Sequence, residues 1–187
     1  MSGAIFSRIA FYPTLFYNIL MSKVTSREWY NRIDDNVILG ALPLKSWNKT
    51  LVEKENVRGI VSLTEDFETK GLVNTQEEWA AVGVEQIKLS TVDYVGTPSQ
   101  EQINEALTFI DRHQRQENSV YVHCKAGRTR SATVVACYLI QKHGYSPMEA
   151  VDFIRAKRPH IWLREAQLES LQEFHKHSRV RKSFTGA

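Results

Sequence analysis

The chain has 187 residues, 42% of them hydrophobic and 24% charged, with a formal net charge of +3. That length buries a substantial core in one domain, and so small a net charge gives no argument for a nucleic-acid partner. Two cysteines, Cys124 and Cys137, make no disulfide framework and place the chain in a reducing compartment, where a thiol stays reactive.

Residues 1–27 contain no acid, three basic residues and several serines and aromatics, the bias of an N-terminal targeting or membrane-associating segment. Its apolar core, Ile9 to Met21, is thirteen residues interrupted by Pro13 and Asn18, too short to cross a bilayer as a helix. The alternative is a hydrophobic arm packed on the domain. The domain is expected over residues 28–178, with a C-terminal tail over 179–187.

After the polar run "SREWYNRIDDN", short β-rich runs recur at Val37–Leu39, Gly59–Leu63, Val84–Leu89 and Val120–His123. Thr97 as N-cap, Pro98 at the first helical position and Gln100 closing a capping box predict a helix that puts Ile103, Ala106, Leu107 and Ile110 on one face. Ser146, Pro147 and Glu149 repeat the device, and Leu168, Leu171 and Phe174 form a stripe on a last helix. Alternation of β and α, ending in helices, predicts an α/β fold with a central, mostly parallel twisted sheet flanked by helices. Such sheets bind ligands at the carboxyl ends of their strands.

"HCKAGRTRSATVV" falls at such an end, where the strand "SVYVH" gives way at Thr129 to an apolar helix running to Gly144. No acid occurs from Asn118 to Met148, while Lys125, Arg128 and Arg130 crowd the turn. A free thiol has a pKa of about 8.5, and a helix N-terminus with nearby cations lowers it to roughly 3.5–7.5. Cys124 is therefore the candidate nucleophile. Arg130 supplies a planar fork for phosphoryl oxygens, which a lysine would not. The amides of Lys125, Ala126, Gly127, Arg128 and Thr129 form the anion cradle. The Ser131 hydroxyl can donate to the sulfur when it leaves. His123 is expected to order backbone, and Cys137 to be a small core residue.

A leaving alkoxide also needs a proton, and one carboxylic acid on a loop can give it and then activate water. Asp93 is the leading candidate, on a loop with Gly96 and Pro98; Glu65, Asp66 and Glu68 are the others. No metal or other cofactor is expected, because the arginine and amides supply the charge stabilisation and the six histidines are scattered.

"HCKAGRTRS" resembles the H-C-x5-R-[ST] signature of the cysteine-based phosphatases. The resemblance widens to the mitochondrial dual-specificity phosphatases acting on phosphatidylglycerophosphate, through "FYPTLFYNIL", "REWYNRID", "LGALPLKSW", "ENVRGIVSLTEDFET", "GVEQIKLSTVD", "VYVHCKAGRTRSAT" and "QLESLQEFHK". It implies a cysteine-based dual-specificity phosphatase fold, with the general acid at Asp93, about thirty residues before the cysteine. It also implies an anionic phospholipid substrate, phosphatidylglycerophosphate, and a place on the matrix side of the mitochondrial inner membrane. The family's acidic pair and aromatic near the active site become Glu65, Asp66 and Phe67 here, with Phe67 lacking the hydroxyl of the relatives' tyrosine. The surplus cations Lys125 and Arg128 suit a doubly anionic headgroup. Competing readings are a dual-specificity phosphatase for phosphoinositides or phosphoproteins, a rhodanese-like sulfurtransferase and an inactive phosphate-binding module. Nothing in the sequence speaks to oligomeric state.

Overall fold

The computed structural model describes residues 3–25, 27–93 and 96–185, with side chains described between residues 11 and 178. The outermost two residues of the expected targeting segment and of the expected tail lie outside that range. In chain order the elements begin with helix α1 (Gly3–Val24) and strands β1 (Tyr30–Arg32) and β2 (Val37–Gly40). Short helical turns at Lys45–Trp47 and Thr50–Lys54 precede β3 (Val57–Ser62), α2 (Asp66–Thr69), α3 (Gln76–Ala80) and β4 (Glu85–Lys88). The second half runs α4 (Gln100–Gln114), β5 (Ser119–His123), α5 (Arg130–His143), α6 (Pro147–Lys157) and α7 (Glu165–Thr185).

The sheet order is β1-β2-β5-β3-β4, parallel throughout except for β1, which pairs antiparallel with β2. Strand β1 lies inside the polar run and was not expected. Its pattern carries no apolar alternation, and pairing with β2 is what makes it a strand. The other four strands are those the sequence predicts, to within two residues.

Side-chain alternation divides the core. Val37, Leu39, Val61, Val120 and Val122 face a large cluster with residues of α4, α5, α6 and α7. Ile38, Ile60 and Tyr121 face the other way, onto Leu51, Trp79 and Val84. A register shift between Val57 and Gly59 puts Val57 on the same face as Ile60 despite their odd spacing. Helix α5 is buried from Arg130 to Ile140 and is the central helix, apolar beyond its first turn, where Arg130, Ser131 and Thr133 are its buried polar residues. Its C-cap Gly144 adopts the left-handed conformation that stops it.

Helix α4 begins two residues later than the sequence predicts. Ser99, not Thr97, is the N-cap, with Gln102 closing the capping box. The Thr97 hydroxyl is used elsewhere, accepting from Gln167 Nε2 at 2.7 Å. The Ser146, Pro147 and Glu149 cap of α6 forms as expected. Helix α7 continues past residue 178, so the backbone of the expected tail is helical to Thr185.

Helix α1 packs Phe11 and Leu15 into a third cluster with Trp29, Ala41, Leu42 and Val73. Among the described residues no helix is long and apolar enough to cross a membrane.

Gly40 ends β2 under the ring of Tyr121, whose hydroxyl donates to the Ala41 carbonyl at 2.9 Å. A Cβ on Gly40 would lie 1.9 Å from that hydroxyl oxygen. Gly40→Ala is expected to lower stability by about 1–3 kcal/mol through overpacking, read from the urea midpoint with an unchanged slope.

Candidate active site

Three parallel strands deliver the site at their carboxyl ends. Strand β5 hands over to Cys124, β3 to the Leu63 carbonyl, and β4 to Thr91 and Asp93. Cys124 lines a cavity of about 210 Å³ with Thr14, Asp93, Lys125, Arg128 and Trp162. Two roomier clefts, about 640 and about 1000 Å³, contain neither Cys124 nor Arg130.

The loop after Cys124 is shaped by where its carbonyls go. Lys125 O accepts from Leu42 N at 3.3 Å and Arg128 O from Trp162 N at 2.9 Å. Ala126 O and Gly127 O accept from the Arg158 guanidinium at 3.1 and 2.8 Å. In a trans peptide the following N–H points opposite to the carbonyl, so the amides of Ala126, Gly127, Arg128 and Thr129 turn toward the cradle. Gly127 has φ +63, and a Cβ there would meet Gly40 O at 2.4 Å and the Arg158 Nη2 at 2.8 Å. Only glycine fits this turn.

Arg130, 1% exposed, is fixed from several directions. Its Nη1 donates to Glu68 Oε1 at 2.8 Å, Leu63 O at 3.0 Å and Thr91 O at 2.8 Å, and its Nη2 to Glu68 Oε2 at 3.0 Å. Asp93 Oδ1 stands 2.9 Å from Nη2, and the other oxygen of Asp93 pairs with Lys125 Nζ. The Arg130 Nε is buried with no partner among the described residues. It is thus an unused donor on a guanidinium that is otherwise held.

Ser131 Oγ donates to Cys124 Sγ at 3.3 Å. Burial acts to raise the Cys124 thiol, but the Arg130 charge and the Ser131 side-chain and backbone hydrogen bonds outweigh it, and its pKa lies below the ordinary thiol value. Cys137 shows the contrast: burial with no such partners pushes its thiol up, as suits a core residue. Burial pushes His123 down to about 3, leaving it neutral, with Nδ1 3.3 Å from the Cys124 carbonyl oxygen. That contact ties its ring to the backbone at the start of the loop.

The structure brings Cys124, Arg130, Ser131, Asp93 and Lys125 together. It does not bring Glu65 or Asp66 to the cysteine. Asp66 is exposed and pairs with Lys88, and Glu65 is the N-cap of α2. The carboxylate that reaches Arg130 is Glu68, 0% exposed, which the sequence offered only as an alternative acid. A one-turn helix with a capping box puts its third residue inward, and Glu68 also accepts from the Glu65 amide at 2.9 Å. Phe67 turns toward α1, edge-on to Phe11 at 5.6 Å between ring centroids.

Two further residues escaped the sequence. Thr14 of α1 accepts from Lys125 Nζ at 3.0 Å, which makes the N-terminal helix a wall of the pocket. Arg158, after α6, also donates to Glu28 O and to Asn31 Oδ1, at 3.2 and 2.6 Å. Burial pushes its pKa down to about 10, against the pull of Tyr121 and Cys124. The only signal for it was a basic residue ahead of a proline at a helix end.

A thiol acidified at a strand end, beneath an arginine whose direction is fixed and amides turned inward, is the apparatus of a cysteine-dependent phosphatase. The chain matches the dual specificity phosphatase, catalytic domain over residues 43–177, and it belongs to that family. It is 51% identical over 173 residues to rat phosphatidylglycerophosphatase and protein-tyrosine phosphatase 1, covering 91% of this chain and 90% of the relative. The human protein of the same name is 48% identical over 183 residues, covering 96% and 91%. The fold superposes on a crystal structure of PTPMT1 in complex with PI(5)P with a TM-score of 0.81 and 50% identity, covering 83% of this chain and 99% of that one.

Ser131→Ala removes a donor to the sulfur, so the thiol pKa rises. The thiolate is the form present above that pKa, and the acid limb of the kcat/KM profile is expected to move to higher pH. Arg158→Lys keeps a charge but not the fork, and is expected to lower kcat/KM about tenfold to a hundredfold by loosening the loop. Arg158→Met should in addition shift the acid limb upward, because the cation itself is gone.

Proposed function

We propose that this chain hydrolyses the terminal phosphate monoester of phosphatidylglycerophosphate to phosphatidylglycerol, at the matrix side of the mitochondrial inner membrane. The observation that carries the reading is a second buried cation, Lys125, beside Arg130 in the cysteine pocket, suited to an anionic headgroup. Relatives covering nearly the whole chain bear the name phosphatidylglycerophosphatase. The acid-free bias of residues 1–27 supports the mitochondrial address.

In this mechanism the Cys124 thiolate attacks phosphorus, forming the S–P bond as the P–O bond to the headgroup glycerol breaks. Arg130 and the inward amides hold the three equatorial oxygens. The phosphoryl group displaces Asp93 from Arg130; the released carboxylate takes up a proton from solvent and, as the carboxylic acid, delivers it to the departing alkoxide. As a carboxylate it then takes a proton from water, whose oxygen attacks phosphorus. The S–P bond breaks, Ser131 stabilises the regenerated thiolate, and inorganic phosphate leaves. Lys125, buried beside Arg130, and Arg128 and Thr129 at the rim bind the headgroup.

A phosphoinositide monophosphate is the second reading, favoured by the PI(5)P that the similar PTPMT1 structure holds. Phosphate release from phosphatidylglycerophosphate, phosphoinositide monophosphates and a phosphopeptide separates the readings. Phosphatidylglycerophosphate is expected to be turned over fastest, and a wide margin for the peptide would remove the lipid assignment. Asp93→Asn is expected to lower kcat on the lipid by roughly two or more orders of magnitude. A sulfurtransferase would be indifferent to it. Trapping phosphocysteine on Cys124 excludes an inactive binding module.

A further inference from the structure

From residue 11 onward helix α1 carries two apolar rows about 100° apart around its axis, and among the described residues only one of them is packed. Phe11 and Leu15 are buried against the domain, with Ile19 packed beside them. In the adjacent row Tyr12, Phe16, Leu20 and Val24 stand four residues apart, all exposed, with Phe16 at 68%. A helix apolar over so broad an arc is ordinarily covered across all of it. Beside the row, Tyr17 turns into the mouth of the cysteine pocket with Thr14 and Asn18.

Across that mouth stands Trp162, 52% exposed. The guanidiniums of Arg164 and Arg128 lie 4.2 and 5.9 Å from its ring centroid. Of the eight large hydrophobic residues exposed among the described ones, six belong to α1 or are Trp162. Arg27 and Arg128 line the crevice beside Asn18, Met21 and Ser22 of the same helix. The sequence up to Arg27 contains no acid, and exposed Lys23 lies next to Val24. The Tyr12 end is of mixed charge, with Glu65, Asp66 and Lys70 nearby, so the cations gather at the pocket end.

We infer that the outer row of α1 and Trp162 form a docking face for an anionic lipid bilayer, which sets the mouth of the cysteine pocket at the headgroup level. The inference rests on the lipid reading of the site and adds to it the face and the orientation. A bilayer fits this face better than a folded partner does, for two reasons. Amphipathic aromatic rings flanked by arginines suit the headgroup boundary, where an apolar body and a charged tip are both satisfied. The face is also continuous with the pocket, so a lipid phosphate reaches Cys124 while its acyl chains stay in the membrane. Lys125 links the two, touching Thr14 on α1 and Asp93 in the site. Helix α1 is therefore part of the catalytic domain's working surface as well as a candidate address.

The test uses full-length Cys124→Ser with vesicles of phosphatidylcholine, with and without phosphatidylglycerol, followed by co-sedimentation. Binding to the anionic vesicles alone is expected. The added change Phe16→Glu with Leu20→Glu should weaken it at least about tenfold, and Arg164→Gln about fivefold. In the active chain, Phe16→Glu with Leu20→Glu should leave hydrolysis of soluble p-nitrophenyl phosphate within about twofold while raising the apparent KM for vesicle-borne phosphatidylglycerophosphate. If soluble turnover fails because the helix is disturbed, Phe16→Ser with Leu20→Ser replaces that pair under the same criteria. The docking face is overturned if the protein stays in the supernatant with both vesicles, or if the paired variants bind as tightly as the parent. A dimer in solution that buries this row and ignores vesicles overturns it too. Vesicle binding without release of phosphate from phosphatidylglycerophosphate would instead overturn the proposed substrate and leave the docking face standing.

Discussion

The Arg130 guanidinium is buried at the meeting point of three strands, where an unpaired cation would cost several kcal/mol. Glu68 grips it with both oxygens, and the Leu63 and Thr91 carbonyls accept from the same nitrogen. These partners are compatible with one guanidinium orientation, and that orientation decides what is left over. The unpartnered Nε and the Nη2 next to Asp93 are the donors a phosphoryl group can take. The same charge, together with the Ser131 hydrogen bonds, outweighs the burial that would otherwise keep the Cys124 thiol protonated. Nucleophile and anion cradle are thus two consequences of one immobilised cation.

The surrounding fold supports this constraint from several sides. The carboxyl ends of β3, β4 and β5 bring Leu63, Thr91 and Cys124 to one place, and the capped turn of α2 presents Glu68. On the far side of the loop, Arg158 holds two carbonyls outward, so the amides face in. Gly127 lies against the Gly40 carbonyl and Gly40 under the Tyr121 ring, so neither has room for a side chain. Asp93, resting on Arg130 and Lys125, offsets their charge until a phosphate dianion takes its place in the proposed cycle. Helix α1 joins the same assembly through Thr14 and Phe11, both in contact with Lys125.

Much of the catalytic loop was legible because its parts are neighbours in the chain. Cys124, Arg130 and Ser131 fall within eight residues, and a strand-to-helix turn forces them together. The four parallel strands were legible from β-rich runs ending in turn residues. Strand β1 was not, because its residues carry no apolar alternation and only its partner orders it. The start of α4 was misplaced because two overlapping capping patterns exist, and the contact of Thr97 with Gln167 selects the second. Glu68 was passed over in favour of Glu65 and Asp66. Three acids in four residues look alike until the cap of a single helical turn decides which one faces inward.

What the sequence determined by itself is the chemistry: a thiol among cations at a strand end, an arginine rather than a lysine to meet the phosphate, and an acid-free N-terminus. These are properties of residue type and short spacing, and local geometry is enough to read them. What only the tertiary structure decided are the contacts between residues far apart: Glu68 with Arg130, 62 positions away, Arg158 with Gly127, 31 away, and Thr14 with Lys125, 111 away. No periodicity or motif encodes such pairs. They arise because a buried charge or carbonyl must find a partner wherever the packed chain brings one, and packing is a property of the whole fold.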